Sequence, residues 1–157
     1  LEFRRVLFRS CALLLMSREK ADTLGLSYKY KYSYGVLAGC DPTIMGIGPI
    51  PAIKKLVAGK KLNLDEVGAI ELNEAFASQS LACIRELKLD NENAPFKRVN
   101  VWGGALALGH PLGESGARII VTLLNVLATE FPAAKYGLAS LCGAFGNAGA
   151  LLVEKVN

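Results

Sequence analysis

Histidine and tryptophan each occur once in the 157 residues, methionine occurs twice, and no two of the four cysteines form a CxxC pair. The scattered thiols Cys11, Cys40, Cys83 and Cys142, with a single imidazole, give neither the spacing of a zinc site nor the density of a disulfide framework. No metal site is therefore expected, and free thiols suit a reducing compartment, the cytoplasm or an organelle matrix. Charge of one sign is scarce: 18 Lys and Arg against 14 Asp and Glu leave +4. Half of that excess lies in the first ten residues, where Arg4, Arg5 and Arg9 outnumber Glu2. Lys54, Lys55, Lys60 and Lys61 read as solvated helix-end lysines, so no nucleic-acid partner is expected. Long apolar runs are missing too: the longest candidate, Ile119 to Ala128, is interrupted by Thr122 and Asn125, so no membrane span is expected. There is no low-complexity linker and no internal repeat.

The chain is 52% hydrophobic and 20% charged, enough for one sizeable core and inconsistent with disorder. Residues 1–10, LEFRRVLFRS, begin without Met, and Leu-Glu and Glu-Phe are what common cloning sites encode. They are read as cloning- or sequencing-derived and set aside from the fold.

CALLLMS (11–17) has the continuous apolar character of a buried strand feeding a helix from Ser17, as N-cap, to Leu24. Tyr alternates with Lys or Ser from Tyr28 to Tyr34, the pattern of a strand with one wet face, ended by Gly39 to Pro42. A Gly- and Pro-rich loop then leads into a helix from Pro49 or Pro51 to Ala58, stopped by Gly59. Leu64 to Leu72 carries VGAIEL, a buried strand, and Asn73 is expected to cap a helix from Glu74 to about Lys88 with Ala77, Leu81 and Ile84 at helical spacing. DNENAP (90–95) is a turn, RVNVWGG a short strand entering glycine-rich backbone, and a helix is expected from Pro111, with Ile119, Leu123, Val126 and Leu127 in phase, to Phe131. YGLASLC and AGALLVEKV close the chain as a hairpin across Gly143 to Asn147. The order β-α-β-α-β-α-β-α-β-β is that of an α/β protein.

Three polar residues fall where strands end or helices begin: Asn73, His110 and Cys142. Each has a structural explanation alone, as a cap, a hydrogen-bonded imidazole or a small buried thiol. Together they supply a proton-transfer group, an oxyanion donor and a neutral group able to fix a water or carbonyl, the equipment of acyl transfer. A hydrolase with Cys142 as nucleophile would use the same three residue types, and a structural or oligomerisation remnant would use none of them.

NEAFA (73–77), GGALALGHPLGESGAR (103–118), CGAFGNAGA (142–150) and PTIMGIGPIPAIKKL (42–56) resemble four C-terminal motifs of the thiolase family, in the family's order. The likeness runs from about Cys11 to the C-terminus. It implies a thiolase-like C-terminal domain, a mixed β-sheet packed between helices, at residues 28–157, with 11–27 a remnant of the end of the N-terminal half. Thiolases join or split acyl-CoA thioesters by Claisen chemistry, with coenzyme A thioesters as substrates and no permanently bound cofactor.

By the resemblance Cys142 is the acid/base, and its surroundings are expected to lower its pKa. His110 activates an acyl-carrying Cys in the N-terminal half and helps hold the thioester oxygen; Asn73 holds a water in the same oxyanion hole. The backbone of Gly143 and Ala144 offers a second oxyanion site, Met45 lines the acyl end of the pocket, and Phe145 narrows it or demands a different turn. Glu74 is read as a supporting or helix-dipole residue. Two departures stand out: Ala144 and Phe145 replace glycines common after the Cys, and nothing matches the acyl-carrying segment. The fragment is expected to be inactive alone, its partners being acyl-CoA, the missing half and, at full length, further copies of itself.

Overall fold

In the computed structural model, which describes residues 10–89 and 97–156, four strands form one mixed sheet in the order β1-β4-β3-β2. β1 is Tyr30–Gly39, β2 Val67–Leu72, β3 Tyr136–Cys142 and β4 Asn147–Lys155. β4 runs antiparallel to both β1 and β3, whereas β2 and β3 are parallel. Three strands therefore point the same way and end at one edge of the sheet.

Helices cover both faces, as expected of an α/β fold of this class. On one, α2 (Pro49–Lys60) and α3 (Ala77–Glu86) pack Ile53, Leu56, Cys83 and Ile84 onto Ile70, Leu72, Leu138 and Leu152. On the other, α5 (Ser115–Thr129) lays Ile119, Leu123, Val126 and Leu127 on Ala69, Ala139 and Val153, the in-phase residues read from the sequence. A six-residue helix, α1 (Arg18–Thr23), is capped by the Ser17 hydroxyl, which accepts from the Lys20 amide at 3.2 Å, and a four-residue helix, α4, spans Ala105–Leu108.

Several elements differ from the sequence reading, each for a local reason. CALLLMS is not a strand: residues 11–17 have no regular structure, with Leu14 82% and Leu15 75% exposed. β1 starts at Tyr30 and runs to Gly39, and a bulge between Tyr32 and Tyr34 breaks the alternation, leaving Tyr32 exposed beside Lys31. α2 continues through Gly59 to Lys60 because Lys61 adopts the left-handed cap (φ 52°). Leu64 to Glu66 is a 3-10 turn boxed by Asn63, whose amide N–H donates to Glu66 Oε1 at 2.7 Å.

RVNVWGG forms no strand. Val99 makes a single parallel bridge to Ile70, and the chain then turns away at Asn100 (φ 47°). The Asn100 side chain continues the pairing: Leu72 N–H donates to its Oδ1, and its Nδ2 donates to Leu72 O, both at 2.8 Å. Asn73 does not cap α3, which begins three residues later than expected. The Asn73 N–H is still in the parallel ladder, donating to Ser140 O at 2.9 Å, and the chain then bends at Ala75, whose N–H donates to Asn73 O at 3.1 Å, before an extended Phe76 leads into the helix. α3 buries Gln79, Ser80, Cys83 and Ile84, and Leu81 faces out. α5 begins at Ser115 and not at Pro111, because Pro111 to Glu114 form a turn in which Pro111 O accepts from the Glu114 and Ser115 amides. Residues 1–9 and the expected turn at 90–95 lie outside the described residues.

Gly146 ties the β3–β4 connection to β1. Its φ of 82° is a glycine conformation, its carbonyl accepts from Cys40 N–H at 2.8 Å, and a Cβ there would collide with Cys40 O. Glu71, near the end of β2, is a buried acid with its carboxyl pKa pushed up to about 8 by burial and by the Glu74 charge, offset partly by Arg118.

Two expectations follow. Gly146→Ala should cost about 2 kcal/mol or more, read as a lower urea midpoint at unchanged slope. A carboxyl with a folded pKa above its unfolded value holds its proton more tightly when folded, so its contribution is complete below about pH 4.5 and is lost as pH rises through about 8. The wild-type chain should lose stability between pH 5.5 and 8, by up to about 1.4 kcal/mol per pH unit, and Glu71→Gln should flatten that slope.

Candidate functional site

Asn73 and Cys142, two of the residues that the sequence singles out, lie where β2 and β3 end at one edge of the sheet. Leu72 pairs with Ser140, so Asn73 and Cys142 stand at the same ends of neighbouring parallel strands, offset from each other by one residue. The carboxyl ends of parallel strands are where α/β sheets offer room for ligands. Cys40 ends β1 at the same edge, and the 3-10 turn Pro42–Ile47 that follows it carries Met45.

Cys142 is half-buried, opposite Ala148. Burial raises its thiol pKa, the nearby Cys40 raises it further, and a backbone hydrogen bond opposes them. This corrects the expectation of a lowered value: the thiol lies on the sheet face covered by α2 and α3, where desolvation disfavours the thiolate. Cys83, fully buried, is pushed up by burial and by the charges of Cys142 and Cys40, so three thiols feel one another around this edge. All four cysteines are free.

Asn73 is 1% exposed, and among the described residues neither its Oδ1 nor its Nδ2 has a hydrogen-bond partner. A buried amide left in that condition costs a few kcal/mol, so its environment calls for a small polar guest.

Polar struts fasten the His110 turn to this edge. Glu74, the residue after Asn73, accepts from Asn100 Nδ2 at 2.9 Å and from the Leu106 amide at 3.0 Å. Gly104 permits the contact, since a Cβ there would strike the Glu74 carboxylate. Arg118 donates to Gly109 O at 2.7 Å and acts electrostatically on Glu71, two residues before Asn73. His110, half-buried, places Nδ1 2.7 Å from the Ser115 hydroxyl at the first residue of α5.

Gly143 opens the turn after Cys142, donating to Asn147 O at 2.6 Å, while Ala144 is exposed and its carbonyl accepts from Asn147 Nδ2. Phe145 takes a left-handed conformation (φ 61°) and its ring is 84% exposed. Met45 is 37% exposed, and its carbonyl accepts from the Cys40 thiol at 3.7 Å. Among the described residues no cluster of His, Cys, Asp and Glu is able to hold a metal ion, and no helix is long and apolar enough to cross a membrane.

Sequence reasoning missed Asn100, Ser115 and Arg118 as parts of this framework. The last two stand inside GHPLGESGAR, but only the return of α5 beneath the turn shows what they touch.

A family model described as the thiolase C-terminal domain matches residues 27–155. A 3-ketoacyl-CoA thiolase of Vibrio vulnificus is 47% identical over 144 residues, 92% of this chain and 36% of its own length. The crystal structure of the Bacillus anthracis acetyl-CoA acetyltransferase superposes with a TM-score of 0.80 at 41% identity, covering 90% of this chain and 34% of that one. That of Acat5 thiolase from Ascaris suum, in complex with coenzyme A, does so with a TM-score of 0.79 at 40% identity, covering 89% and 34%. The chain thus spans about a third of the length of these relatives. A family model matched over residues 27–155 shows that the chain belongs to the thiolase family, as its C-terminal domain.

Proposed function

We propose that, in a longer protein, this domain supplies the acid/base and oxyanion groups for acyl transfer between coenzyme A thioesters, by Claisen condensation or by thiolysis. The observation that carries the reading is Asn73, buried with both amide atoms unpartnered beside the strand end that bears Cys142. Such an amide suits a bound water that donates to a developing enolate oxygen. Residues 28–157 form the catalytic domain in this reading, and 11–27 the end of the half that precedes it.

In condensation the Cys142 thiolate takes the α-proton of acetyl-CoA, and the resulting enolate attacks an acyl group carried on a cysteine outside this chain. In thiolysis the Cys142 thiol protonates the departing enolate. A raised pKa fits both directions: the resting group is a thiol ready to donate, and its thiolate is a stronger base. His110 takes the proton of the acyl-carrying cysteine, and its imidazole then helps hold the thioester oxygen. The Ala144 amide serves a second oxyanion; Gly143, also expected there, does not contribute its N–H, which is taken by Asn147 O at 2.6 Å, and Met45 and Phe145 border the acyl end. The substrates are coenzyme A thioesters, the Ascaris relative being a coenzyme A complex. The whole protein works as an oligomer in a reducing compartment, with no resident cofactor.

The isolated 157-residue chain should not condense acetyl-CoA, and acetoacetyl-CoA formation by the pure chain would overturn the reading. In the longer protein, Cys142→Ala should lower condensation by about 10²–10⁴-fold while an acyl-enzyme still forms, as seen by mass spectrometry. His110→Ala should impair acylation as well. Asn73→Ala should lower kcat by about 10²–10³-fold. Equal residual acylation in the Cys142 and His110 variants would contradict the assignment.

A further inference from the structure

We propose that Ser115 is a positioning residue that holds the His110 imidazole as its Nδ1–H tautomer, leaving Nε2 as the ring's proton acceptor. The Ser115 hydroxyl is fully buried and has two close partners, His110 Nδ1 at 2.7 Å and Pro111 O at 3.1 Å. A hydroxyl has one proton to give, and a carbonyl oxygen can only accept. With that proton on Pro111 O, a hydroxyl lone pair is left for Nδ1, which must then carry hydrogen. The reverse arrangement would leave no proton between the hydroxyl oxygen and the Pro111 carbonyl oxygen 3.1 Å away, two lone pairs facing each other, although that carbonyl also accepts from the Glu114 and Ser115 amides.

The backbone makes the contact rigid. Pro111 lies four residues before Ser115, so the hydroxyl–carbonyl bond spans one helical turn at the start of α5. The residue before the imidazole is held as well, by Arg118 on Gly109 O at 2.7 Å. The ring is thus fixed from its own chain and from the helix, and the hydrogen bond at one nitrogen sets the state of the other.

The tautomer stands on this geometry alone. Its catalytic meaning rests on the acyl-transfer reading, in which a bare Nε2 accepts the proton of the acyl-carrying cysteine and then presents N–H to the thioester oxygen. Ser115 touches neither substrate nor reacting atoms in that scheme.

His110 is the only histidine of the chain, so a long-range ¹H–¹⁵N correlation spectrum of the ¹⁵N-labelled 157-residue protein contains one imidazole. At a pH where the ring is neutral, Nδ1 should show the pyrrole-type shift and Nε2 the pyridine-type shift. In Ser115→Ala the ring should revert to the Nε2–H form that neutral histidine prefers in water, whereas Ser115→Thr, which keeps the hydroxyl, should retain Nδ1–H. An Nε2–H ring in the wild type overturns the proposal, and this result needs no variant to fold. An Nδ1–H ring that persists in folded Ser115→Ala removes Ser115 from the role. In the longer thiolase, Ser115→Ala should lower the acylation rate about tenfold with little change in KM, and Ser115→Thr should restore it. An Nδ1–H spectrum with no acyl transfer in the longer protein would sink the functional reading and leave the tautomer standing.

Discussion

The register that pairs Leu72 with Ser140 is the constraint on which the rest of the site depends. A parallel pair brings two strand ends to one side, and a slip of one residue would turn every side chain of β2 to the opposite face. Ile70 and Leu72 would leave the α2–α3 core, and Glu71 would enter it. The apolar alternation therefore selects the register, and the register brings the strand ends that carry Asn73 and Cys142 to one edge.

Beyond the sheet, the framework is a set of short polar struts. Asn100 stands in for a strand residue at Leu72 and also holds Glu74; Glu74 holds the start of α4; Arg118 holds the backbone just before His110. Each strut satisfies groups that would otherwise be buried unpaired, which costs more than the bond itself returns. Asn73 is not part of this network: its side-chain amide is buried without a partner among the described residues, as are Arg98 Nε and the Glu114 carboxylate, and of these only Asn73 follows directly on a strand of the sheet.

The sequence shows the helices and the buried strands well because burial imposes a period. Ile119, Leu123, Val126 and Leu127 report one helix face, and VGAIEL and YGLASLC report strands covered on both sides. CALLLMS misleads because apolar composition signals surface to bury without saying what buries it. Asn73 followed by Glu74 looks like a cap because caps are local, whereas its true partner, Ser140 O, is far along the chain. RVNVW has strand composition, yet Asn100 adopts a left-handed turn and continues the pairing with its side chain. At the site, the residue types Cys142, His110 and Asn73 are readable by resemblance. The direction of the Cys142 pKa is not, since desolvation depends on which helices cover the thiol.

β1 and β4 are neighbours in the sheet, yet Tyr30 finds its partner in Lys155, almost the whole chain away. Contacts of such sequence separation are slow to form, because the loop entropy is lost before the pairing returns anything. On a ribosome the sheet stays incomplete until the last strand emerges, and until then the inner edges of β1 and β3 are bare templates for foreign strands. β4 thus acts as the closing stitch of the sheet, and shortening it would leave those inner edges open to aggregation before any damage reached the chemistry.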